Sequence, residues 1–402
     1  MNLNNITQKS KIETMIIKNR FLQGVAAFIA VAALFTACKK DDKAGPSLRV
    51  SVDASAFTAT TLYSGSFLNA NGKTTVDFSN GNLRLKMFQA LNSYLNLNRT
   101  QIISADVAGK LFSNNNNPFT ADIHPDFALL NGSKLSLRNS TAISLDAVAA
   151  EVIRKRIEDD ISATANISPA FGISAAKGIA GMLGTYIVDT KGIEKAQIVQ
   201  KGLIGAFQLD YINNFLLNKG LDANNSVEVS DKGYTQLEQN WDEAYGLLTL
   251  NPVFLAGSTD AVRGTSEFGL GSYVWEYNKP NYAKINLAFL KGRAAAVNNN
   301  KAEMQAQAQF IRTQFETTIA NAALGYLVKW NTSTTEAARA HAIGEGLGFI
   351  YSLRFCALNG ADAKFSDDIL TALISSSNGF WDLTPAKIET ASASIKARFK
   401  IQ

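Results

Sequence analysis

The sequence contains few of the residues that build disulfides and metal centres. Among 402 residues there are two cysteines and two histidines. Two cysteines cannot form the disulfide framework of a small secreted scaffold, and two histidines make a catalytic zinc site hard to assemble. The HExxH, GxSxG, CxxC and Walker-loop motifs of common enzyme classes are missing as well. No motif in the sequence therefore assigns a reaction.

Charge is also sparse, because charged residues make up 18% of the chain and the net charge is only +5. Most of the basic excess lies in residues 1–37, which carry four basic residues and one acidic residue. Residues 38–402 carry 35 Lys plus Arg against 33 Asp plus Glu. The sequence also lacks the recognition-helix and RNA-binding signatures of proteins that bind nucleic acids. A nucleic-acid partner is therefore not expected.

The N-terminal sequence has the pattern of a lipoprotein signal. A basic region is followed at residues 21–37 by an uncharged apolar stretch, as in secretory signal peptides. The string LFTAC at residues 34–38 resembles a bacterial lipobox. The pattern predicts cleavage before Cys38 and acylation of its sulfur, which would bind the chain to a lipid bilayer. The alternative is an uncleaved N-terminal helix with an incidental cysteine.

The residues after Cys38 predict the final location. The string CKKDD at residues 38–42 resembles the signal that sends lipoproteins of Bacteroidota to the outer surface of the outer membrane. The alternative is a tether whose charges only keep it hydrated. The predicted organisation is a signal peptide at 1–37, a lipidated tether at 38–50 and a single helical domain at 51–402.

Apolar residues recur at helical spacing along most of the chain. This periodicity predicts an all-α fold class of one or more helical bundles after a short irregular N-terminal segment. A Gly-rich stretch at 250–280 is predicted to be a loop. Ser366 and Thr384 are predicted N-caps, the latter followed by Pro385. The remaining predicted helices lie at about 82–97, 144–164, 173–186, 190–218, 231–249, 281–297, 300–328, 335–358 and 367–376.

Small residues indicate where these helices approach one another. Gly178 with Gly181, and Gly202 with Gly205, are predicted to permit close helix packing. The string QIVQKGL at 197–203 is echoed by HAIGEGL at 341–347. A duplicated bundle is one interpretation of this echo.

Two acidic helical faces are the candidate sites. Glu238, Trp241, Asp242 and Tyr245 lie at helical spacing on one face, and two carboxylates one turn apart repel unless a cation relieves them. Arg293, Arg312, Arg354 or a metal ion could supply that cation. His341 and Glu345 lie one turn apart on a strongly apolar helix, where a buried carboxylate must be paired or protonated.

These residues allow two hypotheses. The first is a polar or metal site between helices, formed by Glu238, Asp242, His341 and Glu345 and suited to iron, zinc or calcium. The second, which we favour from the sequence, is a buried salt-bridge network that fixes helix register.

Several strings resemble a known family, the Bacteroidota lipoproteins of domain of unknown function 4856. The family is distantly similar to imelysin-type proteins, so the resemblance implies a helical-bundle, imelysin-like fold and a role in the cell envelope. The matching strings are LYSGS at 62–66, VDTKGIEKAQIVQKGLIGA at 188–206, YTQLEQNWDEAYGLL at 234–248, INLAFLKGRAA at 285–295 and HAIGEGLGFIYSLRF at 341–355.

The resemblance identifies five positions of this sequence as candidate site residues. It selects Trp241, Asp242, Glu243, His341 and Glu345. Three departures weaken a metal site. Where imelysins have the motif G-x-H-x-x-E, this chain has Arg339 in place of the glycine and its acid one place late. Gln239-Asn240 also stands where the family usually has a histidine before WDEAYG.

The resemblance also suggests three kinds of function. The first is a binding protein, with iron or haem acquisition as its setting. The alternatives are a peptidase or hydrolase of imelysin type that uses the same cluster, and a structural partner of an outer-membrane transporter.

Overall fold

The computed structural model describes residues 49–248 and 268–402, and this part of the chain is folded as α-helices with one small β-hairpin. This confirms the all-α prediction. The predicted signal peptide, Cys38 and residues 250–267 of the predicted loop lie outside the described residues. The rest of the loop prediction is wrong over residues 270–277, which form a helix. Within the described ranges, no helix has the length and apolar character needed to cross a membrane. The α-helices are α1 (Ser79–Asn96), α2 (Ala105–Ser113), α3 (Phe127–Gly132), α4 (Leu137–Ser140), α5 (Ala147–Asn166), α6 (Lys195–Leu203), α7 (Gln236–Leu248), α8 (Leu270–Tyr277), α9 (Lys279–Val297), α10 (Lys301–Thr332), α11 (Glu336–Ser352), α12 (Ala363–Ile374) and α13 (Pro385–Phe399).

Side-chain caps explain where several helices begin. The Asp146 carboxylate accepts hydrogen bonds from backbone amides in the first turn of α5. The hydroxyl of Thr384, just before α13, accepts one from the amide of Lys387 in the first turn of that helix. Thr384 is thus the N-cap that the sequence predicts, with Pro385 in the first turn. The prediction for Ser366 is wrong. Asp362 caps α12, while Ser366 lies inside the helix and donates to the carbonyl of Ile350 at 2.8 Å.

The predicted helix at 173–186 is also wrong, because this segment forms the hairpin of β1 (Gly181–Leu183) and β2 (Tyr186–Val188). The strands pair antiparallel, with Met182 opposite Ile187. Gly178 and Gly184 both have positive φ, which glycine adopts at little cost and which ends a helix. Gly178 therefore makes a turn and Gly181 lies in β1, so the prediction that these two glycines pack a helix is wrong.

Helix α6 continues directly into a π-helix at Ile204–Leu216, so the predicted helix at 190–218 is present with an unusual second half. Long π-helices are rare. The segment buries polar side chains that bind the ends of neighbouring helices. Gln208 donates to the carbonyl of Leu247 and accepts from the amide of Leu270, both at 2.9 Å. These bonds link the end of α7 to the start of α8.

Helices α6 and α11 run side by side in the same direction. A Cβ on Gly348 would lie 2.5 Å from the Cβ of Lys201, and one on Gly205 would lie 2.3 Å from Ser352. The prediction of close packing is therefore confirmed for Gly205. A Cβ on Gly202 would make only an ordinary contact, 3.5 Å from the ring of Tyr351.

The segment before α1 is irregular, as predicted, and packs onto α7 and α9. Tyr63 and Phe67 are buried, and the Tyr63 ring stacks on Tyr245 of α7 with centroids 4.0 Å apart. Asn286 of α9 donates to the carbonyl of Ala59 at 2.8 Å. The N-terminal segment is therefore part of the folded domain.

Candidate functional site

The first candidate region lies where α7, α9 and the N-terminal segment meet, and its centre is the guanidinium of Arg293. Nη1 of Arg293 lies 2.9 Å from Oε1 of Glu238, and its Nε donates to Oδ1 of Asp242 at 2.9 Å. All three side chains are fully buried. Of the arginines considered from the sequence, Arg293 is the one that lies between the two acids. We call Glu238, Asp242 and Arg293 the Arg293 network.

Local structure holds the two carboxylates of the Arg293 network in place. Thr235 and Glu238 form a capping box at the start of α7, in which the Thr235 hydroxyl accepts from the Glu238 amide and the carboxylate accepts from the Thr235 amide at 2.7 Å. Asp242 also accepts from the hydroxyl of Tyr63 at 2.9 Å and from the amide of Asp77 at 3.2 Å. Arg49 forms a second ion pair with Glu238.

Burial dominates the electrostatics of this network. It raises the pKa of Asp242 to about 6 although Arg293 and the hydroxyl of Tyr63 act in the opposite direction. Burial alone would lower the pKa of Arg293, but the charges of Asp242 and Glu238 more than offset it and raise that pKa. The guanidinium therefore stays charged and neutralises the acidic face.

The other residues predicted to support this site have separate roles. The ring of Trp241 packs on Gly292 of α9, where an added Cβ would lie 2.0 Å away. Glu243 points to another part of the fold, where it pairs with Arg84. The hydroxyl of Tyr245 donates to Asn286 at 3.2 Å. Trp241 and Tyr245 thus fix the contact between α7 and α9.

The second candidate region lies on α6 and α11. Nζ of Lys201 lies 2.9 Å from Oε1 of Glu345, and both side chains are buried. The Lys201 ammonium also lies 5.5 Å from the centre of the Tyr273 ring. Burial alone would lower the pKa of Lys201, but Tyr273 and Glu345 raise it. This ion pair therefore links α6 to α11 where the two helices are in close contact.

His341 connects this ion pair to the surface. Its Nδ1 lies 2.7 Å from Oε2 of Glu194 and its Nε2 lies 3.6 Å from Oε2 of Glu345. The ring stacks on Tyr186 of β2 with centroids 4.1 Å apart, and 26% of the His341 side chain is exposed. Arg99 holds the other oxygen of the fully buried Glu194 at 2.6 Å. We call Arg99, Glu194, Lys201, His341 and Glu345 the His341 network.

The predicted four-residue site is corrected to two networks. The structure joins Glu238 with Asp242 through Arg293, and it joins His341 with Glu345 beside Glu194 and Lys201. Within residues 49–248 and 268–402, no three His, Cys, Asp or Glu side chains are placed to hold a metal ion. Arg293 and Lys201 supply the positive charges that the metal hypothesis assigned to an ion. The residues do not fit a resident metal shared by the four groups.

Sequence reasoning missed Glu194, Lys201 and Arg99. Glu194 and Lys201 lie in the string at 188–206 that carries the family resemblance; Lys201 lies inside α6, and Glu194 is the residue immediately before it. An ionisable side chain in or beside a buried helix requires a partner, so these two residues could have been chosen as site candidates from the sequence. The other cysteine, Cys356, is buried, and burial raises the pKa of its thiol well above the ordinary value.

Fold and site together define a class: an all-α domain whose helices are joined by buried ion pairs, with one histidine reaching the surface. The chain belongs to the family described as domain of unknown function (DUF4856), whose model matches residues 63–402. No curated protein and no solved structure matches the chain.

Proposed function

We propose that this protein is a surface-exposed, outer-membrane lipoprotein of the Bacteroidota type, and that its helical domain is a binding module. The sequence pattern around Cys38 supports the anchor. The ion pair of Arg49 with buried Glu238 supports a short connection, because ten residues separate Cys38 from this fixed position. Ten residues span at most about 35 Å. The domain would therefore stay close to the bilayer.

The anchor is tested by replacing the acylated residue. Cys38→Ser should move the protein from the membrane fraction to the soluble fraction and abolish labelling by radioactive palmitate, while Cys356→Ser should change neither. Protease added to intact cells should digest the wild-type protein. Palmitate labelling that persists in Cys38→Ser would refute the anchor. Protection of the wild-type protein from the added protease would refute the surface location.

We propose haem as the ligand of the binding module, with His341 as the contact residue. The observation that carries this choice is the contact between Nδ1 of His341 and buried Glu194 at 2.7 Å, since such a carboxylate orients a histidine and makes it a better metal ligand. Bare iron needs several protein ligands, whereas haem supplies four nitrogens and needs one or two. The resemblance to imelysin-type proteins supports iron or haem acquisition as the setting.

Haemin titration of the purified protein, followed by the Soret absorbance, tests this proposal. His341→Ala should weaken binding strongly, and His124→Ala, which removes the other histidine, should leave binding unchanged. Elemental mass spectrometry of the protein as purified should find less than one metal per chain. Equal binding by wild type and His341→Ala would refute the assignment of His341, and failure of the wild type to bind would refute haem.

We also propose a distant relationship to imelysin-type proteins, for which the sequence resemblance is the support, and a duplicated bundle. The duplication is supported by the echo between residues 197–203 and 341–347 and by the parallel packing of α6 on α11, which carry these strings. The hydrolase alternative and the outer-membrane transporter partner stay predictions from the sequence.

A further inference from the structure

The first described residues are fixed to the fold beside α7 and α9. The hydroxyl of Ser51 donates to Oδ1 of Asn298, directly after α9, at 3.0 Å. Arg49 donates to Oδ1 of Asn225 at 3.4 Å and pairs with buried Glu238 in the first turn of α7. These bonds determine which side of the domain faces the tether that precedes residue 49.

Exposed apolar side chains surround this point. Val50 is 71% exposed, and Val227, on the loop that binds the start of the domain, is 62% exposed. Leu68 is 48% exposed and belongs to a turn that ends at Thr75. Thr75 lies beside the loop of Val227, because a Cβ on Gly233 would lie 3.9 Å from the Thr75 side chain. We call Val50, Leu68 and Val227 the N-terminal face.

The position of the N-terminal face is informative, since isolated apolar residues are ordinary on a protein surface. Ten residues separate Cys38 from Arg49. A flexible chain of this length has an end-to-end distance of about 20 Å and a maximum of about 35 Å, whereas a compact domain as long as this one is roughly 50 Å across. An acylated Cys38 would therefore hold the N-terminal face at the bilayer and keep the opposite side of the domain away from it.

The charges around the N-terminal face are balanced. Its two loops carry the exposed bases Lys73 and Lys232 and the exposed acids Glu228 and Asp231. A strongly acidic surface would be repelled by anionic headgroups, and a strongly basic one would bind them without apolar contacts. Balanced charge with exposed valine and leucine side chains instead suits shallow insertion at the level of the headgroups.

We propose that the N-terminal face rests on the lipid bilayer that holds Cys38, with Val50, Leu68 and Val227 inserted among the headgroups. This inference rests on the proposed lipid anchor and is independent of the proposed haem contact at His341. It assigns the domain a fixed orientation, in which α7 and α9 start and end near the membrane instead of turning freely on the tether.

Fluorescence quenching in liposomes tests the contact. The lipidated protein with Val227→Cys is labelled with an environment-sensitive fluorophore, which the buried Cys356 should not take up, and reconstituted into phosphatidylethanolamine and phosphatidylglycerol. Lipids with a nitroxide below the headgroup should quench about half or more of the emission, because a docked face reaches roughly 5–10 Å into this region. Val152→Cys is the matched control, since Val152 is a valine of 65% exposure on α5, which packs on α2 and α6. Its label should lose little emission.

Flotation of the same liposomes separates the docking from the anchor. Protein that does not float would overturn the anchor and the docking together. Protein that floats, but whose label at position 227 is quenched no more than the label at position 152, would overturn the docking alone. Adding Val50→Asp should reduce the quenching at position 227 while flotation persists, and unchanged quenching would contradict the insertion of Val50. A blue shift that grows with protein concentration and ignores the nitroxide would assign the face to a second copy and also overturn the proposal.

Discussion

Replacing Arg293 with methionine removes the only cation in direct contact with Asp242 among the described ion pairs, and it keeps a side chain of similar length. Asp242 would retain the hydrogen bonds from Tyr63 and from the amide of Asp77, and Glu238 would retain Arg49. Breaking a buried ion pair by deleting one partner typically costs about 3–5 kcal/mol. We expect Arg293→Met to lose that much of a total stability that is usually about 5–15 kcal/mol.

The loss should depend on pH, with a sign that the pKa of Asp242 determines. Its folded-state pKa of about 6 lies above the ordinary 3.8, so the folded protein holds this proton at pH values where the unfolded chain has released it. The contribution of Asp242 to stability therefore falls by up to about 3 kcal/mol as pH rises from about 4 to about 6. At pH 5 the Asp242 carboxyl is largely protonated in the wild type and Arg293 matters less. The penalty of Arg293→Met should be smaller at pH 5 than at pH 7.

Urea unfolding at both pH values, followed by circular dichroism and tryptophan fluorescence, measures these penalties. Trp241 lies against the residue next to Arg293, so its fluorescence reports on this region directly. Lys284→Met is the matched control, because Lys284 is an exposed cation on the same helix. A penalty below about 1 kcal/mol, an equal penalty at both pH values, or an equal effect of Lys284→Met would refute the reasoning.

Two further substitutions test the helix contacts. Gly292→Ala should cost about 1–3 kcal/mol because its Cβ would overlap Trp241, whereas Gly202→Ala should cost far less; equal shifts in thermal unfolding would contradict the close-approach argument. Glu345→Gln should cost about 3 kcal/mol or more by leaving the Lys201 ammonium buried without its partner, and adding Lys201→Met should recover part of that loss. A double variant as unstable as Glu345→Gln in denaturant would show that the ion pair is not the cause.

The long helices could be predicted from the sequence, because apolar residues recur along them over many turns. Helix α9, predicted at 281–297, is observed at Lys279–Val297, and α10 agrees with its prediction similarly. The hairpin could not be predicted in this way. In the sequence, glycines at this spacing are compatible both with a packed helix and with turns. Only the structure shows that Gly178 and Gly184 have the positive φ values of turns.

The candidate site was predictable in part. The helical spacing of Glu238 and Asp242 requires a cation, and Arg293 was among three arginines that could provide it. Glu194 and Lys201 were missed because their partners lie near residue 341, about 150 positions further along the chain. Ion pairs at such separation leave no local pattern. The four-residue site was wrong because each acid already has a basic partner from a different helix.

The attachment of the N-terminal segment has a consequence for the order of folding. Ser51 donates to Asn298 across 247 positions, and Arg293 reaches Thr75 across 218. Closing loops of this length costs more chain entropy than forming neighbouring helix pairs such as α9 with α10. The first described residues of the domain should therefore be among the last to dock, after α9 has assembled. Mutation at Arg293 would release the start of the chain before it melts the helices.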